Sequence, residues 1–129
     1  MYLLDTSAIL AHILKEPGAE LVDRIIMTES VFAAAPTWLE LRVRLKEEDA
    51  AVEVLELLES GIIATVDVSA TIARTAFELK SAATQRLPAM DSLIASCAAA
   101  NHWILVHRDR HFLSIPGELL MQEMLPLER

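Results

Sequence analysis

Four carboxylates stand where their neighbours suggest chemistry. Asp5 follows the apolar run Tyr2–Leu4 and precedes two hydroxyls in LLDTSAIL. Glu40 lies between Trp38 and Leu41 in PTWLELRVRL, Asp91 falls near the start of PAMDSLIASCAAAN, and Asp109 follows the apolar run WILVH in HRDRHF. Each has an ordinary structural reading. Asp5, Thr6 and Ser7 are good helix caps. Glu40 and Arg44 form an i,i+4 pair. Asp91 suits the positive end of a helix, and Asp109 suits a turn. Taken together they suggest more. Asp5 and Asp109 each end an apolar strand, and Asp91 begins the helix before the second of these strands. In a parallel sheet such ends share one edge, where open α/β sheets bind their ligands. Two unit charges about 4 Å apart at an effective dielectric of ~20 repel by roughly 4 kcal/mol. Carboxylates converging there need protons or a bridging cation, and oxygen ligands with no cysteine nearby suit Mg²⁺ or Mn²⁺.

Positioning these acids requires a sheet, and the pattern supplies one. YLLD, VFAA, IIATVDV and WILVHRD read as strands, with MQEML as a last edge strand. Between them lie the helical stretches TSAILAHILK, AELVDRIIM, PTWLELRVRL, DAAVEVLELLES, SATIARTAFELKSAA and PAMDSLIASCAAAN. Proline opens two of these helices, Ser69 caps another, and Val52, Leu55 and Leu58 recur at helical spacing until Gly61 stops the run. Alternating strands and helices predict an α/β fold, a central parallel sheet of four to five strands with helices on both faces. No repeat or linker divides the 129 residues, so a single domain is expected over 1–129.

Composition bounds the function. The net charge is −8, from 19 acids against 11 bases, which argues against a simple nucleic-acid coat but not against an enzyme that gathers acids around metal. Hydrophobic residues make up 53% of the chain, high for its size, which points to a face covered by a second copy or a partner. No apolar run approaches the roughly 18 residues of a membrane span, and the start has no basic region before an apolar core. Cys97 is alone, so no internal disulfide forms, in keeping with a reducing cytoplasm. Its setting, IASCAAA, reads as core rather than nucleophile. No Cys/His spacing fits zinc.

The pieces LLDTSAIL, PTWLELRVRL, LPAMDSLIASCAAAN and RDRHF, in this order and spacing, resemble a PIN domain, in particular the toxin nucleases of VapC type. The resemblance covers nearly the whole chain. It implies a three-layer α/β/α fold and a Mg²⁺- or Mn²⁺-dependent endoribonuclease that hydrolyses RNA phosphodiester bonds, leaving a 5′-phosphate and a 3′-hydroxyl. Carried onto this sequence, the catalytic and metal-binding acids are Asp5, Glu40, Asp91 and Asp109. Thr6 or Ser7 adds a hydroxyl to a ligand water or a carboxylate. Members usually have threonine or serine two residues before the last aspartate; His107 stands there instead. It is bulkier and titrates near neutral pH, so it is expected to replace the hydroxyl's hydrogen bond, touch RNA or crowd a second metal. The alternative reading is a catalytically weakened domain that binds protein or RNA.

Further expectations concern partners. Arg42, Arg44 and Lys46, Lys80 and Arg86, and Arg108 and Arg110 flank the acids and form a rim that guides phosphates. The resemblance adds a cognate antitoxin, whose arginine would pair with the acidic pocket. A partner helix is expected in a groove around Ile9, Ile13, Leu21 and Ile25, at least two of which are expected only to face the core. A homodimer is the simplest use of the apolar surplus.

Overall fold

The computed structural model describes residues 1–127. The last two residues of the expected domain, 128 and 129, lie outside the described ones. In chain order the elements are β1 (Tyr2–Leu4), α1 (Thr6–Leu14), α2 (Ala19–Thr28), β2 (Val31–Ala34), α3 (Ala35–Leu45), α4 (Asp49–Leu57), β3 (Ala64–Val66), α5 (Ala70–Ala82), α6 (Ala89–Asn101), β4 (Ile104–His107) and β5 (Gln122–Met124). A π-helical turn, Leu58–Ile62, continues α4, and a 3-10 helix, Arg110–Ser114, follows β4.

All five strands are parallel, in the order β3-β2-β1-β4-β5. Strand alternation explains the three layers. Leu4, Val31, Ala33 and Val106 point to one face and pack with α1 to α4, through Ile9, Val22, Leu41 and Leu55. Leu3, Ala34 and Leu105 point to the other and pack with α5 and α6, through Ile72, Leu79, Ile94 and Ala98. Strands covered on both faces carry no polar alternation, which is why YLL and ILV read as unbroken apolar runs.

One detail differs from the sequence reading. Gly61 does not stop α4. It sits inside the π turn, which ends only at Ile62, where β3 begins two residues on. All four residues of the expected groove, Ile9, Ile13, Leu21 and Ile25, meet the core, as expected of at least two of them. Ile9 and Ile25 are buried, and Ile13 and Leu21 pack against the same core. Helix α1 is buried over four consecutive residues, Ala8 to Ala11, as expected of a helix that is apolar all round.

The topology fixes where a ligand site can form. The chain runs outward from β1 to β3, then returns to β4 on β1's other side. The strand order therefore reverses between β1 and β4, the crevice where doubly wound sheets bind their ligands. The segments after β1 and β4 begin with Asp5 and Arg108–Asp109.

Candidate active site

Asp5 leaves β1 in an extended conformation and caps α1. Its Oδ2 accepts from the Ser7 backbone N–H at 3.1 Å and from the Ser7 hydroxyl at 2.5 Å. The same hydroxyl oxygen accepts the Arg108 backbone N–H at 2.8 Å, while the Asp5 N–H donates to the Val106 carbonyl at 3.0 Å. Ser7 thus clasps the ends of β1 and β4 together. The capping and site readings of Asp5 are one arrangement.

Glu40 comes from the middle of α3, whose first turn carries Pro36. Its Oε1 accepts the Thr6 hydroxyl at 2.5 Å, so this carboxylate is held by α1 rather than by Arg44 one turn along. The Thr37 hydroxyl lies 3.4 Å from that of Thr6. Asp91 occupies the first turn of α6, which Pro88 opens. Asp109 caps the 3-10 helix, its Oδ1 accepting the His111 N–H at 2.9 Å.

These elements bring Asp5, Glu40, Asp91 and Asp109 to one cavity of about 460 Å³, with Thr6 and Ser7 in its wall. Its remaining lining is Leu10, Leu39, Val43 and Arg44. The electrostatics show the crowding. Burial, opposed by the Ser7 hydrogen bonds and reinforced by Asp91 and Glu40, pushes Asp5 up to about 7. Burial, then Asp109, pushes Asp91 up to about 6, with His111 acting against them. Four carboxylates face one guanidinium among the lining residues. That donor set, oxygen-rich and without thiolate, fits a hard divalent cation.

His107 does not line the cavity, so it is not placed to touch RNA there or to crowd a metal; of the expectations for it, only the replacement of a hydroxyl's hydrogen bond is compatible with its position. It is fully buried. Its Nδ1 accepts the Asp109 N–H at 3.1 Å, which leaves the proton on Nε2, 2.8 Å from the Gln122 Oε1 that accepts it. Its ring lies 4.7 Å from that of Phe112. Burial lowers its pKa, consistent with a neutral ring. Gln122 completes the link by donating from Nε2 to the Phe112 carbonyl at 3.0 Å.

Sequence reasoning missed His111. Its Nδ1 lies 3.2 Å from Asp91 Oδ2 and 3.0 Å from Asp109 Oδ1, and one ligand atom from each of the three residues falls within 4.8 Å of the others. The available signal was its place two residues after Asp109, where a tight turn folds it back. The basic rim is thinner than expected. Arg44 lines the cavity, but Arg42 pairs with Glu59, Arg108 with Glu16, and Lys80 Nζ donates to the Leu87 carbonyl. Cys97 is buried, and burial raises its thiol to about 11, as suits a core residue.

A family model described as PIN domain matches residues 2–118. No curated protein matches the chain. Among solved structures it is similar to a chain of VapBC2 from Rickettsia felis bound to a promoter DNA fragment, at 22% identity and a TM-score of 0.79, covering 97% of this chain and 98% of that one. It is similar to a chain of DNA-bound VapBC from Salmonella typhimurium, at 22% identity and 0.73, covering 95% and 96%. It is also similar to VapC20 of Mycobacterium tuberculosis, a sarcin-ricin loop cleaving toxin, at 15% identity and 0.69, covering 88% and 93%. At these identities the likeness is one of fold.

Proposed function

This chain belongs to the PIN domain family, and from that premise we propose that it is a divalent-metal-dependent endoribonuclease, the toxin of a toxin–antitoxin pair. The observation that carries the proposal is the meeting of Asp5, Glu40, Asp91 and Asp109 in one cavity at the β1/β4 crevice. Asp5, Asp91 and Asp109 would hold Mg²⁺ or Mn²⁺, and Glu40, fixed by Thr6, would complete the set or hold a second ion. The cation supplies positive charge that lowers the pKa of water and stabilises charge developing on the phosphate. The chain's own residues do the rest. Ser7 keeps Asp5 oriented and the two strand ends in register. Arg44 meets a substrate phosphate at the cavity wall, and Leu39 and Val43 give a sugar or base an apolar surface. Hydrolysis then breaks the P–O3′ bond, leaving a 5′-phosphate and a 3′-hydroxyl.

The sarcin-ricin loop cleaving neighbour supports RNA as the substrate class, and the VapBC neighbours support an antitoxin partner. A partner arginine suits the cavity, since a guanidinium binds carboxylates bidentately and stays charged. A cytoplasmic homodimer is part of the same proposal. Among the described residues no helix is long and apolar enough to cross a membrane. The alternative is a catalytically weakened domain that binds protein or RNA; His107, buried and bonded to the Asp109 N–H, bears on it through the placing of Asp109.

The test is cleavage of total RNA with the cut ends mapped. Mn²⁺ or Mg²⁺ should be required, chelation should abolish cutting, and Asp91→Asn should reduce it by at least about 100-fold with the fold intact. Undiminished cutting by Asp91→Asn would overturn the proposal.

A further inference from the structure

We propose that the His111 imidazole is a ligand of the cation held by Asp91 and Asp109, and that this nitrogen makes the site prefer Mn²⁺ to Mg²⁺. The inference rests on the metal-dependent reading above and deepens it, by adding a residue and a metal preference.

The distances carry it. His111 Nδ1 stands 3.0 Å from one aspartate oxygen and 3.2 Å from another, on two different elements. Two ligands at right angles on an octahedral ion, with bonds of about 2.1 Å, are themselves ~3 Å apart. These contacts are ion-pair contacts in the metal-free chain, and the same separations would suit three ligands of one ion, since the three donor atoms all lie within 4.8 Å of one another. The turn holds the imidazole in place. Asp109 Oδ1 accepts the His111 N–H, so the carboxylate and the ring after it are positioned by one hydrogen bond. The His111 side chain is 54% exposed, against 18% for Asp91. It is the most exposed of the three donor residues, while Asp5 is buried.

The chemistry follows from the nitrogen. Carboxylates and water serve Mg²⁺ and Mn²⁺ alike, whereas an imidazole nitrogen adds affinity for a first-row transition ion. Mg²⁺ gains little from His111, and Mn²⁺ gains more. The other candidate nitrogen close to Asp109 is that of His107, which is buried with both ring nitrogens engaged.

The experiment uses the full chain and both metal salts. Mn²⁺ affinity is read from the electron paramagnetic resonance signal of free ion, and Mg²⁺ affinity from competition with Mn²⁺. Pulsed resonance on the Mn²⁺-loaded protein then looks for nitrogen coupled to the ion. The expected result is imidazole nitrogen coupling in the parent chain. His111→Gln should lose that coupling and bind Mn²⁺ at least about 10-fold more weakly, with Mg²⁺ affinity changed by less than about threefold. A thermal melt checks the fold of the variant. Mn²⁺ bound without nitrogen coupling, or an unchanged Mn²⁺/Mg²⁺ ratio in His111→Gln, would overturn the inference and leave the metal-dependent reading standing. A parent chain that binds neither cation would overturn both.

Discussion

Asp5 shows how one residue serves the fold and the site together. Its Oδ2 caps α1 through Ser7, while the carboxylate lies in the cavity wall beside other acids. Burial raises Asp5 to about 7 and Asp91 to about 6. Both are raised above the unfolded value of about 3.9. Between those values the folded chain holds protons that the unfolded chain releases, so unfolding becomes easier as pH rises. Their contribution is fully present below about pH 4 and lost as pH climbs through about 6 to 7. A bound cation reverses the sign, because it takes the place of the protons. Without divalent metal, the melting temperature should therefore fall between about pH 4 and pH 7, apart from other groups, and Asp5→Asn should flatten that fall. The rise in melting temperature on adding Mn²⁺ should be larger at about pH 8 than at pH 5. A Mn²⁺ shift that does not change with pH would mean that these carboxylates are not its ligands.

At the scale of elements, His107 is a fastener. It ties the end of β4 to β5 through Gln122, fixes the Asp109 backbone and packs on Phe112. Threonine would fill less space beside Phe112 and leave the Gln122 Oε1 without its donor. His107→Thr should cost about 2 kcal/mol or more by urea denaturation, with any loss of cleavage following from a displaced Asp109. A variant as stable as the parent would refute this. The sequence resemblance located His107 but could not orient it; period two could have. Leu105 faces the α5/α6 core, and a residue two along shares its face, beside Phe112. The strands and helices were legible because capping and proline signals agree with periodicity: Ser69 does cap α5, with its hydroxyl accepting the Ile72 N–H at 3.2 Å. The four acids were legible because three of them follow strands or start a helix. Gly61 misled because a glycine removes a side chain without forbidding a helical turn. A Cβ there would meet nothing within 4 Å, whereas at Gly18, with φ +93°, it would fall 3.0 Å from Leu125 Cβ. His111 was not legible because its approach to Asp91 depends on how α6 and the 3-10 helix meet, which local pattern does not encode.

Charge over the whole molecule sets a problem for the proposed action on RNA. The chain carries −8, and many of the bases near the site are occupied: Arg42 by Glu59, Arg108 by Glu16, and Lys80 by the Leu87 carbonyl. Without the four site acids the remaining charges give −4, so cations in the cavity only soften the repulsion. RNA must then be held by few phosphate contacts, with Arg44 at the cavity wall the foremost. Its neighbours Leu39 and Val43 are 61% and 59% exposed, leaving an apolar strip along α3 beside the acids. RNA and an arginine-bearing antitoxin would compete for this same ground. Each phosphate contact to a single strand contributes about 0.7 to the slope of log affinity against log salt. In an Asp91→Asn background that binds without cutting, Arg44→Gln should weaken RNA binding and lower that slope by roughly 0.7. Adding the antitoxin should release RNA from the Asp91→Asn chain. An unchanged slope in the Arg44 variant would mean that the phosphates are gripped elsewhere, with Arg86 and Arg110, both exposed, the next residues to test.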